Sequence, residues 1–254
     1  MRRKKTVASV TKKEKRIMAV GCSHGKELDP IAAEAAFNFR DRFKPDIIIH
    51  LGDVWDTSAW RAGATGSGDE RERTDQDFVA GCRFLDDLGA THLCMGNHDE
   101  RPYRFLNHSN TLLAEKAEHD VERMESWLKN RKIHYLKSWD IRTRFTFGNW
   151  DYTHGTVYGM GSSRKMAFAH APNSVAFAHT HVASQDKVEN IHNPTGMCAG
   201  TLSRISHMGY ASTRMRTLAW SQAILWGVTN GKETRMWMCE NGQNNKRKPW
   251  TLPL

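Results

Sequence analysis

The spacing of apolar and polar positions divides the chain near residue 132. Before that point, short unbroken apolar runs alternate with longer segments of helical period. After it, short β-rich runs follow one another. Residues 16–21 and 46–51 predict two buried strands, and Pro30 between them takes the first position of a helix through residue 39, with Asp29 as its cap. This β-α-β order predicts a parallel pair whose carboxyl ends lie at one edge. Residues 74–88 predict an amphipathic helix stopped by Gly89, residues 91–95 a third strand, and residues 111–129 another helix. The segment 57–75, with Gly63, Gly66 and Gly68, shows no apolar period and is expected to be a solvated insertion. Further on, residues 133–136, 142–147, 150–154 and 174–178 read as strands. Residues 222–228 and 233–238 read as a hairpin across Asn230-Gly231.

Composition narrows this picture. A chain of 254 residues with 39% hydrophobic content is long enough for one large α/β domain. No stretch approaches a membrane span and no apolar signal run follows the charged start, so a soluble, membrane-free protein is expected. The cysteines, at 22, 82, 94, 198 and 239, are odd in number and widely spaced. This predicts reduced thiols in a cytoplasmic compartment. The net charge of +9 is confined to the ends: residues 2–16 hold eight Lys/Arg against one Glu, and Lys246-Arg247-Lys248 adds three more. A basic N-terminal arm over 1–15, a domain over 16–244 with insertions near 57–75 and 101–131, and a basic tail over 245–254 follow from that distribution. Such arms either aid solubility or reach for phosphate backbones.

The chemistry gathers at the ends of the apolar runs. The third strand stops at Gly96 and delivers Asn97-His98-Asp99; others deliver Cys22-Ser23-His24, Gly52-Asp53 with Asp56, His154, and His179-Thr180-His181. Open α/β sheets keep their ligands at this edge. His179 and His181, two apart on an extended segment, face the same way and suit a shared ligand field. Asp53 has two oxygens with which to bridge two cations, and Asn97 offers a neutral amide oxygen. Trp55 and Trp60 flank the second cluster and are candidates for stacking on a base. His108 and His119 read as surface residues.

Taken in order, Cys22-x-His24, Gly52-Asp53-x-x-Asp56, Gly96-Asn97-His98-Asp99, His154 and Ala178-His179-x-His181 resemble the five motifs of the calcineurin-like metallophosphoesterases, D-x-H, G-D-x-x-D, G-N-H-[DE], H and G-H-x-H. Asn193-Pro194-Thr195-Gly196 is similar to a turn those proteins carry after the last motif. The resemblance implies a four-layer α/β/β/α sandwich and hydrolysis of phosphoesters by in-line attack of a hydroxide held on two divalent metal ions. By matching position, Cys22, His24, Asp53 and His181 would hold one metal, and Asp53, Asn97, His154 and His179 the other. His98 would serve the leaving oxygen, Asp99 would orient His98, and Asp56 would orient a ligand. Cys22 departs from the usual aspartate and is similar to the first motif of RNA lariat-debranching enzymes. A soft thiolate there implies zinc or iron, with manganese, zinc or iron at the second position. The leading expectation is a phosphodiesterase of nucleic acid, nuclease-like. The alternatives are a phosphomonoesterase or small-nucleotide hydrolase, and a non-catalytic binding module on the same scaffold.

Overall fold

The computed structural model describes residues 14–204, 219–241 and 250, so the basic segments expected at the two ends lie almost wholly outside the described residues. Along the chain the elements are β1 (Lys15–Val20), α1 (Pro30–Phe43), β2 (Ile47–His50), α2 (Thr74–Leu88), β3 (His92–Leu93), α3 (Thr111–Asn130), β4 (His134–Tyr135), β5 (Phe145–Phe147), β6 (Trp150–Tyr152), α4 (Ser162–His170), β7 (Ser174–Phe177), β8 (Ala183–Lys187), β9 (Thr195–Ala199), β10 (Ala223–Thr229) and β11 (Thr234–Glu240). They form a six-stranded sheet of order β11-β10-β1-β2-β3-β4 and a five-stranded sheet of order β5-β6-β7-β9-β8. The strands β1 to β4 run parallel, and the hairpin β10-β11 adds to the free side of β1 in antiparallel sense.

Residue parity along each strand sorts the layers, because successive side chains point to opposite faces. Ile17, Ala19, Ile47, Ile49 and Leu51 point between the sheets and meet Tyr152, Ala176, Ala178, Met197 and Leu225. Their neighbours Met18, Val20 and Ile48 point the other way, onto Ala32, Ala36, Phe39, Phe84 and Leu88 of α1 and α2. Met166 of α4 covers Val175, Phe177 and Cys198 on the far face of the second sheet. The result is the expected helix, sheet, sheet, helix stack. Asp29 caps α1 by accepting the Ile31 N–H at 2.9 Å, and Gly89 ends α2 at φ 70°. The five cysteines are free and buried, and no helix among the described residues is long and apolar enough to cross a membrane.

Two expectations need correction, and two elements come in unannounced. The insertion 57–75 is not all solvated: it folds into short turns at Ser58–Trp60 and Gly68–Arg71, and Trp60 is buried with its indole N–H on Asp120 at 3.1 Å. Asn193-Pro194-Thr195-Gly196 is not simply a turn, because β9 begins at Thr195. A Cβ on Gly196 would lie 2.0 Å from the Ser163 carbonyl oxygen, so α4 and β9 approach through that glycine. Finally α4 and β8, which the apolar pattern did not announce, complete the second layer pair.

Candidate metal centre

The parallel order of β1, β2 and β3 brings three of the loops to one edge, and the second sheet supplies the rest through the loops after β6 and β7. These loops are strained in a consistent way. Cys22, His24, Asp53, His179 and His181 all have left-handed backbone, with φ of 54°, 50°, 53°, 70° and 58°. Non-glycine residues rarely adopt that conformation, and it persists where surrounding structure over-determines it. Here the restraint is visible: the Cys22 N–H bonds the Gly52 carbonyl at 2.9 Å and the His24 N–H the Asp53 carbonyl at 3.0 Å. Gly96 is required by close approach, since a Cβ there would lie 2.2 Å from Asp53 Oδ1.

Asp53 sits at the centre. Its Oδ1 accepts the His98 backbone N–H at 2.9 Å, while Oδ2 lies 3.2 Å from His154 Nε2 and 3.9 Å from both His24 Nε2 and His98 Nε2. Around it, ligand atoms of Cys22, His24, Asp53 and His181 lie within 4.8 Å of one another, and so do those of Asp53, His154 and His179. Asn97 joins the second set, its Oδ1 3.1 Å from His154 Nε2. The six titratable residues are buried.

The arrangement gathers nitrogen and oxygen atoms suited to a cation at two points. His154 Nδ1 donates to the Leu51 carbonyl at 2.8 Å, which leaves Nε2 facing Asp53 Oδ2, Asn97 Oδ1 and, at 3.1 Å, His179 Nδ1. The two oxygens facing this ring nitrogen require a proton or a cation between them, whichever tautomer His179 adopts. Burial lowers the His154 pKa, but the Asp53 charge together with the hydrogen bonds to Asp53 and the Leu51 carbonyl raises the value overall. The second point lies between His24 Nε2 and His181 Nε2, 3.1 Å apart, since His24 Nδ1 donates to Asp56 Oδ1 at 3.0 Å. Burial and the neighbouring His154 push His179 down to about 3, and burial with His24 takes His181 well below its ordinary value. Both rings are therefore neutral and keep lone pairs to offer. His179 Nε2 and His181 Nδ1 are buried and have no hydrogen-bond partner. Burial first, then the Asp53 charge, pushes the Cys22 thiol well above its ordinary pKa, so it gives up its proton only where a cation replaces it. By donor chemistry, the residues fit two divalent ions.

Two expected roles change hands. Asp99 was expected to orient His98, but its two oxygens accept four backbone N–H groups: Asp53 at 2.7 Å, Val54 at 2.9 Å, Trp55 at 3.0 Å and Gly96 at 2.9 Å. It ties two loops together. The carboxylate that holds His98 is Asp56, whose Oδ1 lies 2.9 Å from His98 Nδ1 while it also takes the His24 N–H. Burial opposes ionisation of Asp56, and these two imidazoles overcome it, holding the group well below the usual carboxylate range. Trp55 is likewise no stacking platform, since it is 1% exposed and its indole N–H bonds the Phe78 carbonyl at 3.1 Å.

Other residues enter that the motifs did not mark. Arg101 donates to the Asp56 carbonyl at 2.6 Å and to His98 Nε2 at 3.1 Å, adding a positive charge beside His98. The rings of Trp139, Tyr158 and Trp220 stand against His179 and His181. The substitution of alanine at 178 is accommodated because Gly21 faces it; a Cβ on Gly21 would meet Ala178 Cβ at 2.6 Å.

A family profile described as calcineurin-like phosphoesterase matches residues 15–183. Among curated proteins, the chain is similar to the Gene 54 protein of Mycobacterium phage D29, at 30% identity over 112 residues. That match covers 41% of this chain and 44% of the relative, less than half its length. Among solved structures, the chain is similar to a metallophosphoesterase from Sphaerobacter thermophilus, with TM-score 0.47 and 14% identity over 89% of this chain and 88% of that one. It is also similar to a Vps29 single mutant from Entamoeba histolytica, with TM-score 0.46 and 8% identity over 89% and 92%. A third is the phosphoesterase Yfce from E. coli, with TM-score 0.41 and 13% identity over 87% and 98%.

Proposed function

Since the chain belongs to the calcineurin-like phosphoesterase family, we propose that it hydrolyses phosphodiester bonds in nucleic acid with the help of two divalent cations. The observation that carries this reading is the crowding of metal-ligand atoms around Asp53, with His154, Asn97 and His179 on one side and Cys22, His24 and His181 on the other. Cations held there would supply Lewis acidity toward the phosphoryl oxygens and activate a water molecule for in-line attack.

The protein's own groups do the rest. Asp53 spans both halves of the site with one carboxylate. Asp56 locks the rings of His24 and His98 through a single oxygen, so a ligand and a non-ligand histidine are aligned together. His98 presents Nε2 toward the centre and serves the leaving oxygen, and Arg101, 3.1 Å from that nitrogen, adds positive charge for the phosphate. Asp99 keeps the loops bearing Asp53 and Gly96 in register through its four backbone partners.

The choice of nucleic acid is supported by the charge distribution: the Lys/Arg excess lies in segments 2–16 and 246–248, while the remaining chain is nearly balanced. Clustered basic arms gain affinity for phosphate backbones by releasing counterions. The test is a panel of bis-p-nitrophenyl phosphate, p-nitrophenyl phosphate, single-stranded DNA, duplex DNA and RNA with protein reconstituted in Mn²⁺, Zn²⁺ or Fe²⁺. Cleavage of diesters and polynucleotides above the monoester supports the reading. Preference for the monoester, with no polynucleotide cleavage, replaces it with a phosphomonoesterase.

A further inference from the structure

The site is walled by aromatic rings that the metal chemistry does not use. The Tyr158 ring lies 4.3 Å from His179 at 65°, and the Trp139 ring 5.6 Å from it at 45°. On the other side, Trp220 stands 4.3 Å from His181 at 79°. Rings that only shield ligand histidines from water bury most of their own surface. Tyr158 does not: it is 61% exposed beside the His179 ring. Its loop also stands clear of the body, since Gly159 and Gly161 have positive φ and a Cβ on either would meet nothing within 4 Å.

Trp139 is the opposite, a ring fixed in place. Its indole N–H donates to the Gly155 carbonyl at 2.7 Å and its backbone N–H to Glu100 at 3.0 Å, so its orientation is set before any ligand arrives. Arg104, held by Glu100 at 3.0 Å, lies 5.8 Å over the Trp139 ring. One fixed ring and one exposed ring, both against His179 and the first next to Arg104, make the kind of platform on which a nucleobase stacks while its phosphate meets positive charge.

We infer that Tyr158 and Trp139 form a base-stacking platform beside the scissile phosphate, so that the substrates of this site are diesters carrying a nucleoside next to the cleaved bond. This rests on the phosphodiesterase reading and sharpens it. Stacking needs only a π-face, so the platform selects nucleosides over plain alkyl groups with little preference among bases. It also replaces Trp55 and Trp60, whose buried rings cannot reach a ligand.

The experiment compares thymidine 5′-(p-nitrophenyl phosphate) with methyl p-nitrophenyl phosphate, two diesters with the same leaving group, on metal-loaded full-length protein. Wild type favours the thymidine ester in kcat/KM. Tyr158→Ala lowers the thymidine-to-methyl ratio by about 5- to 150-fold, the range that corresponds to ~1–3 kcal/mol per stacked base. Tyr158→Phe, which keeps the ring, restores the ratio. An unchanged ratio in Tyr158→Ala, or equal losses on both esters, overturns the platform and leaves the diesterase standing. Failure of wild type on both diesters, with p-nitrophenyl phosphate still hydrolysed, overturns both.

Discussion

Replacing Asp56 by asparagine separates the two things that one oxygen does. Oδ1 accepts from His24 Nδ1 at 3.0 Å and from His98 Nδ1 at 2.9 Å, and both rings are buried. Asparagine keeps an oxygen of similar position but removes the charge. A hydrogen bond to a charged group contributes about 1.5–3 kcal/mol and a neutral one about 0.5–1.5, so each imidazole loses roughly 1–1.5 kcal/mol of orientation. At the half of the site that His24 serves, this corresponds to about a tenfold loss of metal affinity, at the low end of the roughly 10- to 100-fold found when a ligand's hydrogen-bond partner is removed. The same loss at His98 lowers turnover even when metal is saturating. Metal affinity is read by competition with a chromophoric chelator, and kcat with bis-p-nitrophenyl phosphate at saturating Mn²⁺. Asp56→Asn should weaken one of two metal equivalents and lower kcat as well. Full affinity together with full kcat would refute the claim that this oxygen aligns both rings.

The remaining predictions follow from the same geometry. His98→Ala should leave metal content unchanged and lower turnover by about 10²- to 10⁴-fold on esters with poor leaving groups, and less on p-nitrophenyl esters; loss of metal on atomic-emission analysis would make His98 a ligand instead. Cys22→Asp should retain activity and shift preference from Zn²⁺ or Fe²⁺ toward Mn²⁺, and X-ray absorption of the zinc-loaded wild type should show sulfur at about 2.3 Å. Spectra with only nitrogen and oxygen neighbours would make Cys22 a packing residue. Asp99→Ala should act on the fold before the chemistry, because four buried N–H groups lose their acceptor at roughly 1–3 kcal/mol each. The expected fall in melting temperature is at least about 10 °C, and a normal melt with selective loss of kcat would return Asp99 to a role in catalysis.

What the sequence made legible was local. The unbroken apolar run at residues 16–21 announced a buried strand at β1, and Asp29-Pro30 announced the start of α1. The clusters of candidate ligands were legible because each sat at the end of such a run. What was not legible depends on contacts between distant loops. Asp99 and Asp56 are both carboxylates near His98, and only the backbone N–H groups of residues 53–55 decide that Asp99 is occupied elsewhere. Trp55 and Trp60 stand beside a motif in sequence but face inward, onto Phe78 and Phe105, while Trp139 and Tyr158, with no motif to mark them, face the site. The strand β8 has the polar sequence of an edge, with one neighbour in its sheet, and so lacks an apolar period. The helix α4 follows Gly159 and Gly161 and opens on two serines, which read as loop until Met166 and Ala167 are seen against the second sheet.

The central claim is that Asp53 joins two cation sites into one hydrolytic centre. Calorimetric titration of metal-stripped protein with Mn²⁺ or Zn²⁺, run alongside an assay of bis-p-nitrophenyl phosphate, tests it most directly. The account predicts two equivalents per chain, diester hydrolysis that rises with the second, and the loss of both binding and hydrolysis in Asp53→Ala. Hydrolysis that persists in the stripped protein, or Asp53→Ala binding two equivalents as wild type does, would contradict it.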